Sequence, residues 1–494
     1  MSSAGEARRA YESDLLARNP VAYVMDRLSR RWITSLRRKD IEVYHDYRLR
    51  RAVRYVWDNS PFYKRKLKRA GVYPEDIRGR ADLHKIPTTS KNGIRSSQHD
   101  HPPFGDILSV PPDRIITAAT TTGTTGDPVR VPFTYNDIVN SCNATHAEAI
   151  AEQTMGAVQE IESKIGSMNT VTQLASNHSL WKSSVSLLTR FQYPGDSVIM
   201  TGTGNTEMQV EIARDIGSEI FAMTPSYALY MGEVIKRMGV SVKNDMKVKV
   251  LTLFGEPGGS IASVRSRIVE SWDGVVETRD LAGGVEAGLG CDCFLHEGIH
   301  LDEDLMYHEV LDESGEGAVT DGEVGESTVT WLTREGFPLL RYRTGDLIKL
   351  DSTTCGCGRT TRRAVGGIMG RSDDMLKVKG LKLFPSTIDE VMKRIQGLTG
   401  EFLIVVGKGK MEILDEVTIK VEYLKGYEQS KLEDLRTKVA REIQAVISFS
   451  PHLELVPEGS LGRFVHKAQR ILDLRKKDAI EAYDARMKLQ EMLR

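Results

Sequence analysis

Residues 197–257 run SVIMTGTGNTEMQVEIARDIGSEIFAMTPSYALYMGEVIKRMGVSVKNDMKVKVLTLFGEP, and the alternation within this stretch decides the fold class. Ser197 to Met200 reads as a strand, and a helix begins near Thr206. Glu219 to Met223 (EIFAM) reads as the next strand, with a second helix after Ser226. Lys247 to Phe254 (KVKVLTLF) is a third strand, ending at Gly255-Glu256-Pro257. Short apolar runs bounded by Gly and Pro and interleaved with helices predict an α/β sheet. Ligands of such sheets gather in loops beyond the strand ends, which makes Gly255 to Pro257 a candidate binding turn.

Upstream, Asp113 to Thr117 (DRIIT) reads as a strand feeding the turn Thr120 to Pro128, TTTGTTGDP. Gly123 and Gly126 let a backbone approach a ligand closely. Hydroxyls and N–H groups of Thr121, Thr122, Thr124 and Thr125 can then surround phosphate oxygens. No lysine follows Gly126, so this is not the nucleoside-triphosphatase loop. Alone, such a turn is a weak signal. Residues 5–58 read as helices rich in Arg, Leu, Tyr and Ala. Residues 1–59 hold 13 basic and 8 acidic side chains, which reads as an exposed helical face.

Beyond residue 373 the pattern changes. Val417, Ile419, Val421 and Tyr423 alternate with polar residues, as in a half-buried strand. Leu432, Leu435, Val439, Ile443 and Val446 recur at helical spacing, as in an amphipathic helix. The tail is therefore expected to be a small α+β unit. The whole chain, 494 residues, is too long for one core. Lys plus Arg (67) balances Asp plus Glu (68), so no overall field favours nucleic acid or an anionic membrane. No run of 18 apolar residues occurs, and the N-terminus lacks a signal-peptide core, so a cytoplasmic location is expected.

Of five cysteines, four form tight pairs, Cys291 with Cys293 and Cys355 with Cys357. Cys293-x6-His300 and Cys355-x-Cys357 supply three thiolates and one imidazole, enough for a closed tetrahedral Zn2+ site of structural type. Cys291 and His296 are alternative donors.

Other motifs follow in order: Ser60 to Tyr63 (SPFY), Pro102 to Val110 (PPFGDILSV), Gly204 to Glu207 (GNTE) and Thr224 to Tyr230 (TPSYALY). Arg341 to Leu347 (RYRTGDL), Gly370 to Gly380 (GRSDDMLKVKG) and Ser460 to Arg475 (SLGRFVHKAQRILDLR) complete the set. Their order and spacing resemble the adenylate-forming superfamily, and most closely its phenylacetate–CoA ligase branch, over roughly residues 45–480.

The resemblance implies a large N-terminal unit, about 1–372, and a small mobile unit, about 373–494, turning at Asp373. It implies that the Thr121–Gly126 turn holds the ATP phosphates and that Gly255, Glu256 and Pro257 line the adenine pocket. Asp280, Ala282 and Gly283 would flank the nucleotide, and Asp346 and Arg371 would bind its ribose or phosphate. Glu286 would help hold Mg2+. Lys467 would bridge the substrate carboxylate and the α-phosphate. Relatives usually carry Tyr and Ser or Thr where this chain has Ala282 and Val285, and many have Lys where Val129 stands.

The activity implied is ATP-dependent formation of an acyl-adenylate from a small carboxylic acid, aromatic or arylacetic. Transfer of the acyl group to coenzyme A follows. Rivals are transfer of AMP to a deazaflavin cofactor and a non-catalytic nucleotide-binding relative. A homodimer is the branch's habit.

Overall fold

The computed structural model describes residues 33–121, 127–138, 140, 171–174, 197–201, 205–256, 258–273, 276–284, 286–372, 376–378, 381–408, 415–447, 451–461, 470–474 and 481. Helix α1 (Arg38–Asn59) buries Ile41, Tyr44, His45, Leu49, Val53 and Val56, one stripe at helical spacing. Its docking is also ionic. Glu303, fully buried, receives Arg38 at 2.5 Å and Arg362 at 2.8 Å, while its carbonyl meets His45 Nε2 at 2.7 Å. Ser60 then caps α2 (Pro61–Arg69), whose first position is proline. Ser90 caps α3 (Lys91–Asp100) by accepting the Gly93 N–H at 3.1 Å. Strands β1 (Ile115–Thr120) and β2 (Arg130–Thr134) pair antiparallel as a separate two-stranded sheet.

The main sheet has twelve strands among the described residues. Its first half is parallel. It contains β3 (Val171–Leu174) and β4 (Ser197–Met200), then α4 (Thr206–Ile216), β5 (Ile220–Met223), α5 (Pro225–Arg237), β6 (Val250–Phe254), α6 (Ala262–Ser271) and β7 (Glu277–Gly283). Spatial order is β4-β3-β5-β6-β7. The helices start where the sequence supplies caps: the Asn205 side chain accepts two N–H groups for α4, and Thr224 precedes Pro225 for α5. Trp272 fills the layer between α4–α6 and the sheet, and its indole N–H donates to the Ala228 carbonyl at 2.9 Å.

Beyond β7 the sheet turns antiparallel. Strands β8 (Gly288–Asp292), β9 (Ile299–Leu301), β10 (Met306–Leu311), β11 (Val324–Trp331), β12 (Tyr342–Asp351) and β13 (Arg363–Ala364) follow. They lie in the order β7-β8-β9-β13-β12-β11-β10, and β14 (Gly370–Arg371) pairs with β12.

The tail forms its own core. A hairpin of β15 (Leu376–Val378) and β16 (Leu381–Leu383) leads to α7 (Pro385–Arg394), β17 (Leu398–Lys408), β18 (Asp415–Tyr423), α8 (Leu432–Val446), β19 (His452–Pro457) and β20 (Ile471–Asp473). The sheet order is β19-β18-β17-β20, with Ile388, Val391, Ile404, Ile419, Val439 and Ile443 fully buried between it and the helices.

The α/β class and the tail's strand and helix match the sequence reading. Four starts differ, one of them β5, which begins at Ile220 rather than Glu219. Pro112–Arg114 form a 3-10 turn, so β1 begins at Ile115 rather than Asp113. β6 begins at Val250 rather than Lys247, because its ladder partner β5 begins only at Ile220. α5 begins one residue before Ser226, at the capped proline. Residues 1–32 of the expected helical leader lie outside the described residues. Among the described residues, no helix is long and apolar enough to cross a membrane.

Candidate active site

The carboxyl ends of β5, β6 and β7 open on one edge of the parallel half-sheet, where α/β folds collect their ligands. After β6 the chain turns at Gly255, whose φ of +84° suits glycine. Glu256 follows, and its Oε2 accepts the Ser226 N–H at 3.3 Å, tying this turn to the start of α5. Asp280, inside β7, is buried and accepts from the Ser260 hydroxyl. A Cβ at Gly259 would lie 2.5 Å from its carboxyl carbon, so the loop after β6 wraps closely around it. Burial, reinforced by neighbouring Asp292, pushes the Asp280 carboxyl up to about 7. In this geometry Asp280 braces the loop after β6. Ala282 is half-buried. Gly283 has φ +133°, and a side chain there would meet the Leu289 nitrogen at 2.6 Å.

Glu286 lies just past β7, only 6% exposed. Its Oε1 receives the Lys91 ammonium at 2.8 Å and the Tyr342 hydroxyl at 3.2 Å. Its carbonyl accepts from Trp331 Nε1 and from Arg334 Nη1, each at 2.9 Å. The Arg334 guanidinium is clamped between the rings of Phe133 and Trp331, at 4.5 and 4.6 Å. Burial lowers it to about 10, which still leaves it charged at neutral pH. Burial and the Glu286 carboxylate push Tyr342 well up, so its hydroxyl remains a donor.

The same strand supplies the ribose candidate. A bulge at Thr344–Asp346, with Gly345 at φ +81°, breaks the β11–β12 ladder and presents Asp346. Register places Asp346 opposite Arg371 on β14, and Arg371 Nη1 donates to its Oδ1 at 2.6 Å. Arg371 also donates to the Thr344 carbonyl at 3.2 Å. Glu286, Asp346 and Arg371, far apart in sequence, are thus brought together with Lys91 and Tyr342.

The β1–β2 hairpin is tied to α3, the helix that carries Lys91. The Thr121 amide donates to the Val129 carbonyl at 2.9 Å, and the Val129 amide donates to Thr121 Oγ1 at 3.0 Å. Thr121 therefore closes the base of the turn with the hydroxyl expected to face phosphate. Helix α3 grips that base. Gln98 exchanges both amide bonds with Arg130, at 2.6 and 3.0 Å, and Arg95 Nε donates to the Asp127 carbonyl at 2.8 Å. Lys91 is the first residue of this helix. It had not been singled out, although a signal existed: a cation in a first turn opposes the helix dipole and asks for an anionic partner.

Thr122, Gly123, Thr124, Thr125, Gly126, Pro257, Asp373 and Lys467 lie outside the described residues.

A second cluster sits between β8–β9 and the segment before β13. Donor atoms of Cys293, His300, Cys355 and Cys357 all lie within 4.8 Å of one another. The Cys293 and Cys355 sulfurs are 3.7 Å apart, and Cys357 Sγ is 3.5 Å from His300 Nε2. Thiolates about 3.8 Å apart are what a tetrahedral zinc with ~2.3 Å bonds requires. Thr361 Oγ1, 3.2 Å from His300 Nδ1, orients the ring so that Nε2 faces the thiols. Hydrogen bonds from Cys355 and Cys357 pull the Cys293 thiol far below the ordinary range, favouring a thiolate. The alternative donors are engaged elsewhere: His296 contacts Asp292 at 2.6 Å and Glu277 at 3.1 Å, while Cys291 faces Arg279.

Comparison with known proteins gives the family. A model of the AMP-binding enzyme C-terminal domain matches residues 380–475. The phenylacetate-coenzyme A ligase of Thermus thermophilus is 32% identical over 463 residues, covering 90% of this chain and 99% of that protein. This chain belongs to the phenylacetate–coenzyme A ligase family. It is an AMP-forming ligase of the adenylate-forming superfamily. The Escherichia coli phenylacetate-coenzyme A ligase is 29% identical, over 88% of this chain and 95% of that one. Among solved structures, 2-hydroxyisobutyryl-CoA ligase in its postadenylation state with 2-HIB-AMP is 26% identical. It covers 92% of this chain and 94% of that one, at a TM-score of 0.79. The same ligase in its thioesterification state, with 2-HIB-AMP and CoA, gives 0.63.

Proposed function

We propose that this ligase activates an aromatic or arylacetic acid with ATP and passes the acyl group to coenzyme A. One observation carries the nucleotide half of this reading. Glu286, Asp346 and Arg371 converge with Lys91, which starts the helix that grips the base of the glycine-rich turn. Relatives named as phenylacetate-coenzyme A ligases, matching along almost their whole length, support the acid class and the acceptor.

In the first step a carboxylate oxygen attacks the α-phosphorus, the bond to pyrophosphate breaks, and an acyl-adenylate forms. Lys467 stabilises the growing negative charge on the phosphoryl oxygens, and Lys91 supplies a second cation. Asp346 receives the ribose hydroxyls, held in place by Arg371. One carboxylate plus phosphate oxygens is a donor set that suits Mg2+, and Glu286 is the residue that would hold it; the ion supplies charge neutralisation at the triphosphate. In the second step the coenzyme A thiolate attacks the mixed anhydride and AMP leaves.

One cavity serves both steps if the small unit, about 373–494, turns at Asp373 on the large unit, about 1–372. The closer match to the postadenylation state than to the thioesterification state supports an adenylating arrangement here.

A panel of aliphatic, aromatic and arylacetic acids, scored for AMP release with and without coenzyme A, tests the reading. Release that needs both an aryl or arylacetic acid and coenzyme A is expected. AMP formation indifferent to coenzyme A, or silence across the panel, would sink it.

The thiol cluster is read as a structural Zn2+ site tying β8–β9 to the segment before β13. Metal analysis should find one zinc per chain. Cys357→Ser should lose it together with ~2 kcal/mol or more of stability, the order of a lost structural cross-link. Metal-free protein with freely titratable thiols and unchanged stability would overturn this assignment.

A further inference from the structure

Arg267 leaves α6, in the helical layer of the main sheet, and ends at the small unit. Its Nη1 donates to the carbonyls of Lys393 at 2.6 Å and Ile395 at 3.4 Å, and its Nη2 to that of Leu398 at 3.3 Å. These carbonyls lie at and just beyond the end of α7. The last carbonyls of a helix have no intrahelical N–H and carry the negative end of its dipole. Here the cation that caps them comes from the other unit.

A second contact lies beside it. Lys393, 2% exposed, pairs with Asp389 at 2.5 Å and stands 3.8 Å from Glu256 Oε2, on the turn after β6. Arg470 borders the same group through Asp389, at 3.8 Å, and Glu401. The edge of α7 is thus joined to the large unit by a guanidinium on carbonyls and by an ammonium facing the adenine-side turn.

We propose that Arg267 is a positioning residue that holds the small unit in the adenylating arrangement and lets go before thioester formation. The inference rests on the two-position reading above. Contacts that exist in only one of two arrangements bias the equilibrium between them by their own strength. Water can replace the carbonyl partners of a guanidinium, so release leaves no buried charge stranded.

The test splits the half-reactions in Arg267→Met and Arg267→Lys. The first is read as phenylacetate-dependent pyrophosphate exchange, the second as coenzyme A-dependent consumption of supplied phenylacetyl-adenylate. Arg267→Met should slow the first about tenfold and leave the second unchanged or faster. Arg267→Lys should fall between, since one ammonium cannot fork to three carbonyls. Equal loss in both half-reactions, or no loss in either, overturns the proposal. A parent enzyme with no phenylacetate-dependent exchange would instead overturn the assigned acid class.

Discussion

Lys467→Ala is expected to abolish acid-dependent pyrophosphate exchange while ATP binding remains measurable by calorimetry. The segment that carries Lys467 lies within the matched AMP-binding C-terminal domain, residues 380–475. Its far end is anchored: Arg470 pairs with Glu401, and β20 joins β17 in parallel from Ile471. Removing a cation aimed at developing phosphoryl charge lowers turnover by ~10²–10³-fold. Consumption of supplied acyl-adenylate by coenzyme A should survive, because on the proposed two-position reading the small unit carries Lys467 away before that step. Full exchange in the variant would reject the assigned role.

The second large effect is expected at Lys91. Its ammonium is the cationic neighbour 2.8 Å from Glu286, and 27% of its side chain is exposed. Lys91→Met should lower kcat/KM for adenylation by about a hundredfold, of the order seen when one preorganised electrostatic partner is lost. The melting temperature should fall as well, because Glu286, only 6% exposed, loses its cationic partner, so adenylation is compared where both proteins are folded. Adenylation within threefold of the parent would reduce Lys91 to an ordinary surface residue.

In the parallel half, β4, β5 and β6 were readable as short apolar runs and α4 and α5 by their caps at Asn205 and Thr224, whereas β3 and β7 carry polar and charged residues and α6 has no side-chain cap to mark its start. The antiparallel half was not readable. β13 and β14 are two residues long, too short for any periodicity, and their partners are distant: His300 faces Arg363 across a ladder. The site shows the same division. Glu286, Asp346 and Arg371 sit in motifs whose order betrays them. Lys91, Tyr342 and Arg334 gain their roles from long-range pairing, such as the bridge between Thr89 and Tyr342, which no local pattern announces. Thr121 Oγ1 accepts the Val129 N–H at the base of the hairpin, a pairing no local pattern announces, and its O–H stays available as a donor. The thiol quartet was readable in composition, and the choice of His300 over His296 needed the fold. His296 is drawn away by two carboxylates, whereas a threonine aims His300 at the sulfurs.

The double amide bond between Gln98 and Arg130 has a mechanical meaning. It makes one rigid jaw of the helix that starts with Lys91 and the hairpin that carries the glycine-rich turn. The gape of that jaw is set by backbone bonded to a side-chain amide, both within the large unit. On the proposed two-step reading, that jaw keeps its gape after pyrophosphate has left, so the acyl-adenylate need not be released and recaptured before coenzyme A attacks it.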